Sequence, residues 1–220
     1  MVGQRLKEIY ELLFSSYGAQ HWWPGDGRFE MIAGAILVQN TNWGNTELAI
    51  ENLKAAGCLD AKKVFAMDTS ELAGLIRPAG YYNVKAGRLK NFLGWLFENY
   101  DGDLSRLEGL DSYSLREELL GVKGIGRETA DSILLYAFQR PVFVVDSYTC
   151  RVLFRHRLID AEAGYEQVRE FFESNLAADV ALFNEFHALF VRVGKEHCKV
   201  RPKCAGCPLE SLEHEVEMEF

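Results

Sequence analysis

The chain has 220 residues and a mass of 25.0 kDa, with 48% hydrophobic and 12% aromatic residues, enough for one large or two small domains with a real core, which excludes disorder and a fibrous architecture. The longest uninterrupted apolar stretch, Met31 to Val38, falls well short of the ~20 residues a membrane span needs, and the N-terminal MVGQRLKEIYELLF lacks the separate basic and apolar blocks of a secretory signal, so a cytoplasmic protein with no membrane partner is expected. The formal net charge of -8 would count against a nucleic-acid partner, but Glu210, Glu213, Glu215, Glu217 and Glu219 follow Lys203 with no Lys or Arg among them, and removing those five charges leaves -3.

Helical periodicity recurs along the chain. Residues 4 to 16 form a first candidate helix. Phe29, Ile32, Ala33, Ile36 and Leu37 then give one apolar face, and candidates follow at 45 to 56 and 69 to 76. After the turn-like Pro78-Ala79-Gly80, Leu89, Phe92, Leu93, Leu96 and Phe97 repeat the helical spacing, with further candidates at 112 to 120, 127 to 138, 147 to 155 and 163 to 174. Leu182, Phe186, Leu189, Phe190 and Val193 give a late face, which makes about ten helices joined by short loops. The strand-like Val142-Phe143-Val144-Val145 follows Pro141 and precedes Asp146-Ser147, a good N-cap pair, so it reads as buried entry into a helix.

Two features carry chemistry. Residues 119 to 130, LLGVKGIGRETA, place Gly121, Gly124 and Gly126 ahead of a helix opening near Arg127; glycines permit a tight turn whose amides, at the positive end of a helix, suit a phosphate. The alternative for this turn is a plain helix connector. A dinucleotide site would need a preceding strand, whereas Leu115 to Leu120 reads as helix. Asp146 lies about twenty residues beyond Gly126, as a helix N-cap or as a functional carboxylate.

The second feature is Cys198-x5-Cys204-x2-Cys207, set among Arg192, Lys195, Lys199, Arg201 and Lys203. Five cysteines are an odd number, and this cluster points to a metal rather than a disulfide. Cys58 and Cys150 have no partners by spacing and read as buried thiols.

The hairpin followed by Val-Val-Asp-Ser resembles the helix-hairpin-helix and Gly/Pro-Asp loop of the endonuclease III superfamily of DNA glycosylases. Ile36-Leu37-Val38-Gln39-Asn40-Thr41 resembles its apolar-Q-x-T segment, Arg77-Pro78-Ala79-Gly80-Tyr81-Tyr82-Asn83-Val84-Lys85-Ala86 its G-x-Y-N-x-K-A turn, and the cysteines its iron-sulfur loop. The resemblance implies an all-α fold of two helical modules: a six-helix barrel over 25–140 with its hairpin at 115–131, and a module of 1–24 with 141–220 that carries the cysteine loop. A substrate cleft would lie between them. Gln39 would fill the gap left by a flipped nucleotide, Tyr81 would wedge the base stack, and Gly121, Lys123, Gly124, Gly126 and Arg127 would hold phosphate. The implied partner is damaged double-stranded DNA, bound by a monomer.

The bifunctional enzymes of the superfamily carry a Schiff-base lysine directly before the Thr-Ala pair, where this chain has Glu128. A carboxylate forms no imine, so the resemblance implies a monofunctional enzyme with Asp146 as the catalytic carboxylate. Trp22-Trp23-Pro24, Trp43 and Glu128 match the 3-methyladenine branch, whose cationic bases suit aromatic faces. The fourth cysteine of the family's 4Fe-4S loop is missing: Glu213 stands at its position with His214 beside it, leaving a cluster with incomplete cysteine ligation, a zinc site or no metal. A glycosylase for oxidised or mismatched pyrimidines, and a non-catalytic DNA-binding or redox-sensing iron-sulfur protein, are the competing readings.

Overall fold

The structure, a computed structural model, describes residues 2–23 and 25–215. Among them there is no strand, and eleven α-helices follow in order: α1 Val2–Tyr17, α2 Arg28–Leu37, α3 Trp43–Ala55, α4 Ala61–Ala66, α5 Thr69–Leu75, α6 Tyr82–Tyr100, α7 Ser112–Gly121, α8 Arg127–Ser132, α9 Ser147–Arg155, α10 Tyr165–Asn175 and α11 Val180–Glu196. The fold is all-α, as the periodicity predicts. Among the described residues no helix is long and apolar enough to cross a membrane. The chain divides into two compact units, one drawn from the described residues of Met1–Trp22 and Pro141–Phe220 and the other from Trp23–Arg140.

In the Trp23–Arg140 unit, α2 is buried continuously from Ile32 to Leu37. A helix apolar on all sides belongs at the centre of a bundle, and α2 packs against α3, α6, α8 and the turn after α8. Leu89, Phe92, Leu93 and Leu96 of α6 and Leu115 and Leu119 of α7 complete this core. Side-chain caps set the starts: Asn42 Oδ1 accepts from Asn45 N at 3.0 Å, and Asp60 Oδ1 accepts from both Lys62 N and Lys63 N at 3.0 Å. The short α4 and the 3-10 turn Leu104–Gly109 carry no long apolar face, so periodicity missed them.

The helix predicted over 127 to 138 is not uniform. After Ser132 it widens into a π turn, Ile133–Ala137, closed by a hydrogen bond from Phe138 N to Ile133 O at 3.2 Å. A π turn adds a residue to the turn and shifts the register beyond it, and a hydrophobic pattern buried on every side, as from Ile133 to Ala137, cannot report that shift.

In the other unit, α11 packs on α1 and α9. Phe143, Phe172, Phe183, Phe186 and Phe190 form its aromatic core, with Phe143 and Phe172 stacked at 3.6 Å between centroids. Helices α9 and α11 approach closely at Gly194, where a Cβ would lie 2.4 Å from Tyr148 Cδ1; only glycine fits there. Val142–Val145 is buried and extended but pairs with no strand. Its amides turn to side chains instead: Phe143 N donates to Glu173 Oε1 at 2.9 Å and Val145 N to Tyr165 Oη at 3.4 Å.

Candidate active site

The glycine hairpin is anchored by its apolar residues. Val122 and Ile125 are buried, while Gly121, Lys123, Gly126 and Arg127 are exposed. Gly124 has φ +99, and a Cβ there would lie 2.4 Å from Arg88 Cγ, so the turn needs glycine for both backbone shape and room. Gly126 precedes α8 with extended backbone and gives no side-chain cap. Glu128 is exposed in that first turn.

Gln39 is held against this hairpin from inside the same unit. Its Nε2 donates to Thr129 Oγ1 at 2.8 Å and to Gly124 O at 3.2 Å, and Arg88 Nη1 donates to its Oε1. Tyr81 stands 72% exposed with φ 45 at the tip of the turn after Gly80. Lys85, missed as a structural element, joins the two segments: its buried ammonium donates to Leu37 O at 2.8 Å, just ahead of Gln39, and to Ala79 O at 2.6 Å, just ahead of Tyr81. Burial, reinforced by the charge of Arg88, lowers its pKa to about 8.

The adjacent tryptophans separate. Trp23 stacks on Tyr136 at 4.5 Å and tilts against half-buried Trp43 at 4.8 Å, over Gly34. Trp23 and Trp43 also line a depression with Glu30, Glu47 and Lys54, in which Lys54 Nζ pairs with Glu30 at 2.8 Å. Trp22 belongs to the other unit, its ring edge-on to His187 at 6.3 Å and 5.8 Å from Lys195 Nζ. Pro24 lies outside the described residues.

Asp146 is the N-cap of α9: its Oδ1 accepts from Thr149 N at 2.7 Å. Its Oδ2 lies 3.5 Å from Nε2 of His187, a buried residue of α11. Burial works to raise the carboxyl pKa, but His187 and the Thr149 amide outweigh it and hold the group below the usual carboxylate range. The result is a largely but not fully buried, ionised carboxylate at the start of α9. His187 was missed because nothing in its local sequence separates it from an ordinary core histidine.

Cys198, Cys204 and Cys207 are free thiols that share the wall of one small, partly open cavity. Arginines of α9 hold the loop. Arg151 Nε donates to Cys198 O at 2.6 Å; Arg155 Nη1 donates to Lys199 O at 2.6 Å and reaches Cys198 Sγ at 3.3 Å. His214 lines the cavity, whereas Glu213 is 77% exposed and pairs with Arg157 at 3.3 Å. Among the described residues no three His, Cys, Asp or Glu side chains gather closely enough to hold a single metal ion; the three thiols surround a space instead.

Two helical units, a glycine hairpin and an aspartate capping the helix beyond it define a helix-hairpin-helix protein with a Gly/Pro-Asp loop. Residues 33–178 match the family described as HhH-GPD superfamily base excision DNA repair protein, and the chain belongs to that family. It is 44% identical over 211 residues to a Methanocaldococcus jannaschii protein named as a candidate DNA repair glycosylase, covering 95% of this chain and 96% of the relative. The crystal structure of an H. pylori 3-methyladenine DNA glycosylase bound to 1,N6-ethenoadenine is similar at 30% identity and TM-score 0.74, over 89% of this chain and 97% of that one. A non-covalent endonuclease III–DNA complex shares the fold, with TM-score 0.83 at 22% identity, over 99% of this chain and 97% of that one.

Proposed function

We propose that the chain is a monofunctional DNA glycosylase that removes alkylated bases such as 3-methyladenine from duplex DNA. The observation that carries this reading is Asp146, a part-buried ionised carboxylate fixed by Thr149 N and His187, combined with Glu128 where a lyase would need an amine. As the N-glycosidic bond breaks, its electron pair leaves with the base and positive charge develops on the sugar. Asp146 stabilises that charge, a term worth about 3 kcal/mol in a desolvated site. Water, oriented by Asp146, then adds to C1′ and passes its proton to the Asp146 carboxylate, which returns it to solvent. A base methylated at a ring nitrogen is already cationic and departs neutral, so no general acid is needed.

Trp22, edge-on to the His187 that faces Asp146, supplies a stacking face for the base. The exposed Lys123 and Arg127, with Gly121, Gly124 and Gly126, suit a phosphate, and Tyr81 suits a wedge. The similarity to the H. pylori enzyme supports an alkylated purine as substrate.

The cysteine cavity is assigned to an iron-sulfur cluster of the 4Fe-4S type. Free thiols on one wall and a guanidinium beside Cys198 Sγ fit an anionic cluster. When bound, such a cluster ties the loop together covalently, and Lys199, Arg201 and Lys203 on that loop are then presented to DNA phosphate.

The test is incubation with duplexes carrying one 3-methyladenine or one oxidised pyrimidine, followed by identification of the released base. Release of free 3-methyladenine with an intact abasic strand is expected. Release of the pyrimidine alone, with strand cleavage, would overturn the reading.

A further inference from the structure

The three cysteines leave one iron of a four-iron cluster without a thiolate. We infer that His214, through Nε2, is the fourth protein ligand of the cluster; the inference rests on the cluster reading above. The residue at the fourth-cysteine position, Glu213, turns its carboxylate away to Arg157 and is 77% exposed, while the next side chain enters the wall of the cysteine cavity. That placement is built into the fold. Leu209 and Leu212 are buried at 1% and 5% exposure, and Glu215 N donates to Arg155 O at 2.8 Å, so the segment after Cys207 is drawn back along α9.

The imidazole is also prepared chemically. His214 Nδ1 lies 2.7 Å from Leu212 O, and a carbonyl only accepts, so Nδ1 carries the proton and Nε2 keeps its lone pair. Metal-binding histidines are commonly held this way, and imidazole is a recognised iron ligand in iron-sulfur centres. His197 and His156 also line the cavity, with Nδ1 at 3.0 Å from Lys203 O and from Glu213 O. His197 directly precedes Cys198 and so shares that arm of the loop, and His156 fixes the carbonyl just before His214. Of the three, only His214 follows all three cysteines, on the stretch of chain where the fourth cysteine is missing.

The experiment is anaerobic reconstitution of the full chain, labelled with ¹⁵N-histidine, using ferrous iron and sulfide, followed by reduction, pulsed EPR and metal analysis. The wild type should carry about four irons per chain and show direct coupling to a histidine nitrogen. His214→Cys should keep the cluster, lose the coupling and shift to lower reduction potential, because thiolate adds a negative charge. His214→Ala should lose about one iron and, in a sample oxidised by one electron with ferricyanide instead of reduced, give a three-iron EPR signal. Glu213→Ala should leave the coupling intact. A full wild-type cluster without nitrogen coupling, or coupling that survives His214→Cys and disappears in His197→Ala, would overturn the assignment while leaving the cluster reading in place. A wild type that takes up no iron would overturn the cluster reading and this inference with it.

Discussion

Replacing Asp146 by Asn separates charge from shape. The carboxylate has two jobs in the structure: Oδ1 caps α9 through Thr149 N at 2.7 Å, and Oδ2 faces His187 at 3.5 Å. Asparagine is as good an N-cap as aspartate, so the amide oxygen keeps the first job and the fold changes little in stability. What disappears is the negative charge. Its loss removes about 3 kcal/mol of transition-state stabilisation, which corresponds to about a hundredfold in rate. Asp146→Ala is the companion, expected to lose the same catalysis and about 1 kcal/mol of stability besides, through the missing cap. Single-turnover release of 3-methyladenine from a saturated duplex gives the rate, and duplex binding and thermal unfolding are measured in parallel. The reasoning is refuted if Asp146→Asn releases base at near wild-type rate, or if its whole defect is lost binding.

Three further outcomes are expected. His187→Gln removes the imidazole that helps hold Asp146 ionised against burial. Because a depressed carboxyl keeps its charge until pH falls through its folded pKa, loss of that support should move the acidic limb of the single-turnover rate to higher pH; an unmoved limb would show that His187 does not act through Asp146. Borohydride present during turnover should trap no protein–DNA adduct, and the abasic product should break only in later alkali; robust trapping would implicate a lysine such as Lys123. Lys85→Met leaves Leu37 O and Ala79 O without their shared donor, a loss of about 2 kcal/mol to be read by denaturant unfolding, and a change under about 0.5 kcal/mol would remove Lys85 from its bridging role.

Much of this architecture is local, and local features are legible in a sequence. The apolar faces of α2, α6 and α11 follow from spacing because one helix buries one stripe, or, for α2, every side. The positive φ at Gly124 and the cap at Asp146 involve residues one to three apart, so residue type alone announces them. The absence of an amine at Glu128 and the gap after Cys207 are likewise visible as letters.

What tertiary structure decided lies between residues far apart in the chain. His187 meets Asp146 where α11 packs on α9, the same pair of helices that approach closely at Gly194 and Tyr148. Lys85 spans to Leu37 across 48 positions, and nothing in its neighbourhood marks it as buried. Trp22 and Trp23 are adjacent letters with unrelated surroundings, and Glu213 and His214 are adjacent letters of which only one faces the cysteines. Neighbours in sequence diverge wherever the backbone leaves a helix, because the direction of each side chain is then set by packing rather than by a period.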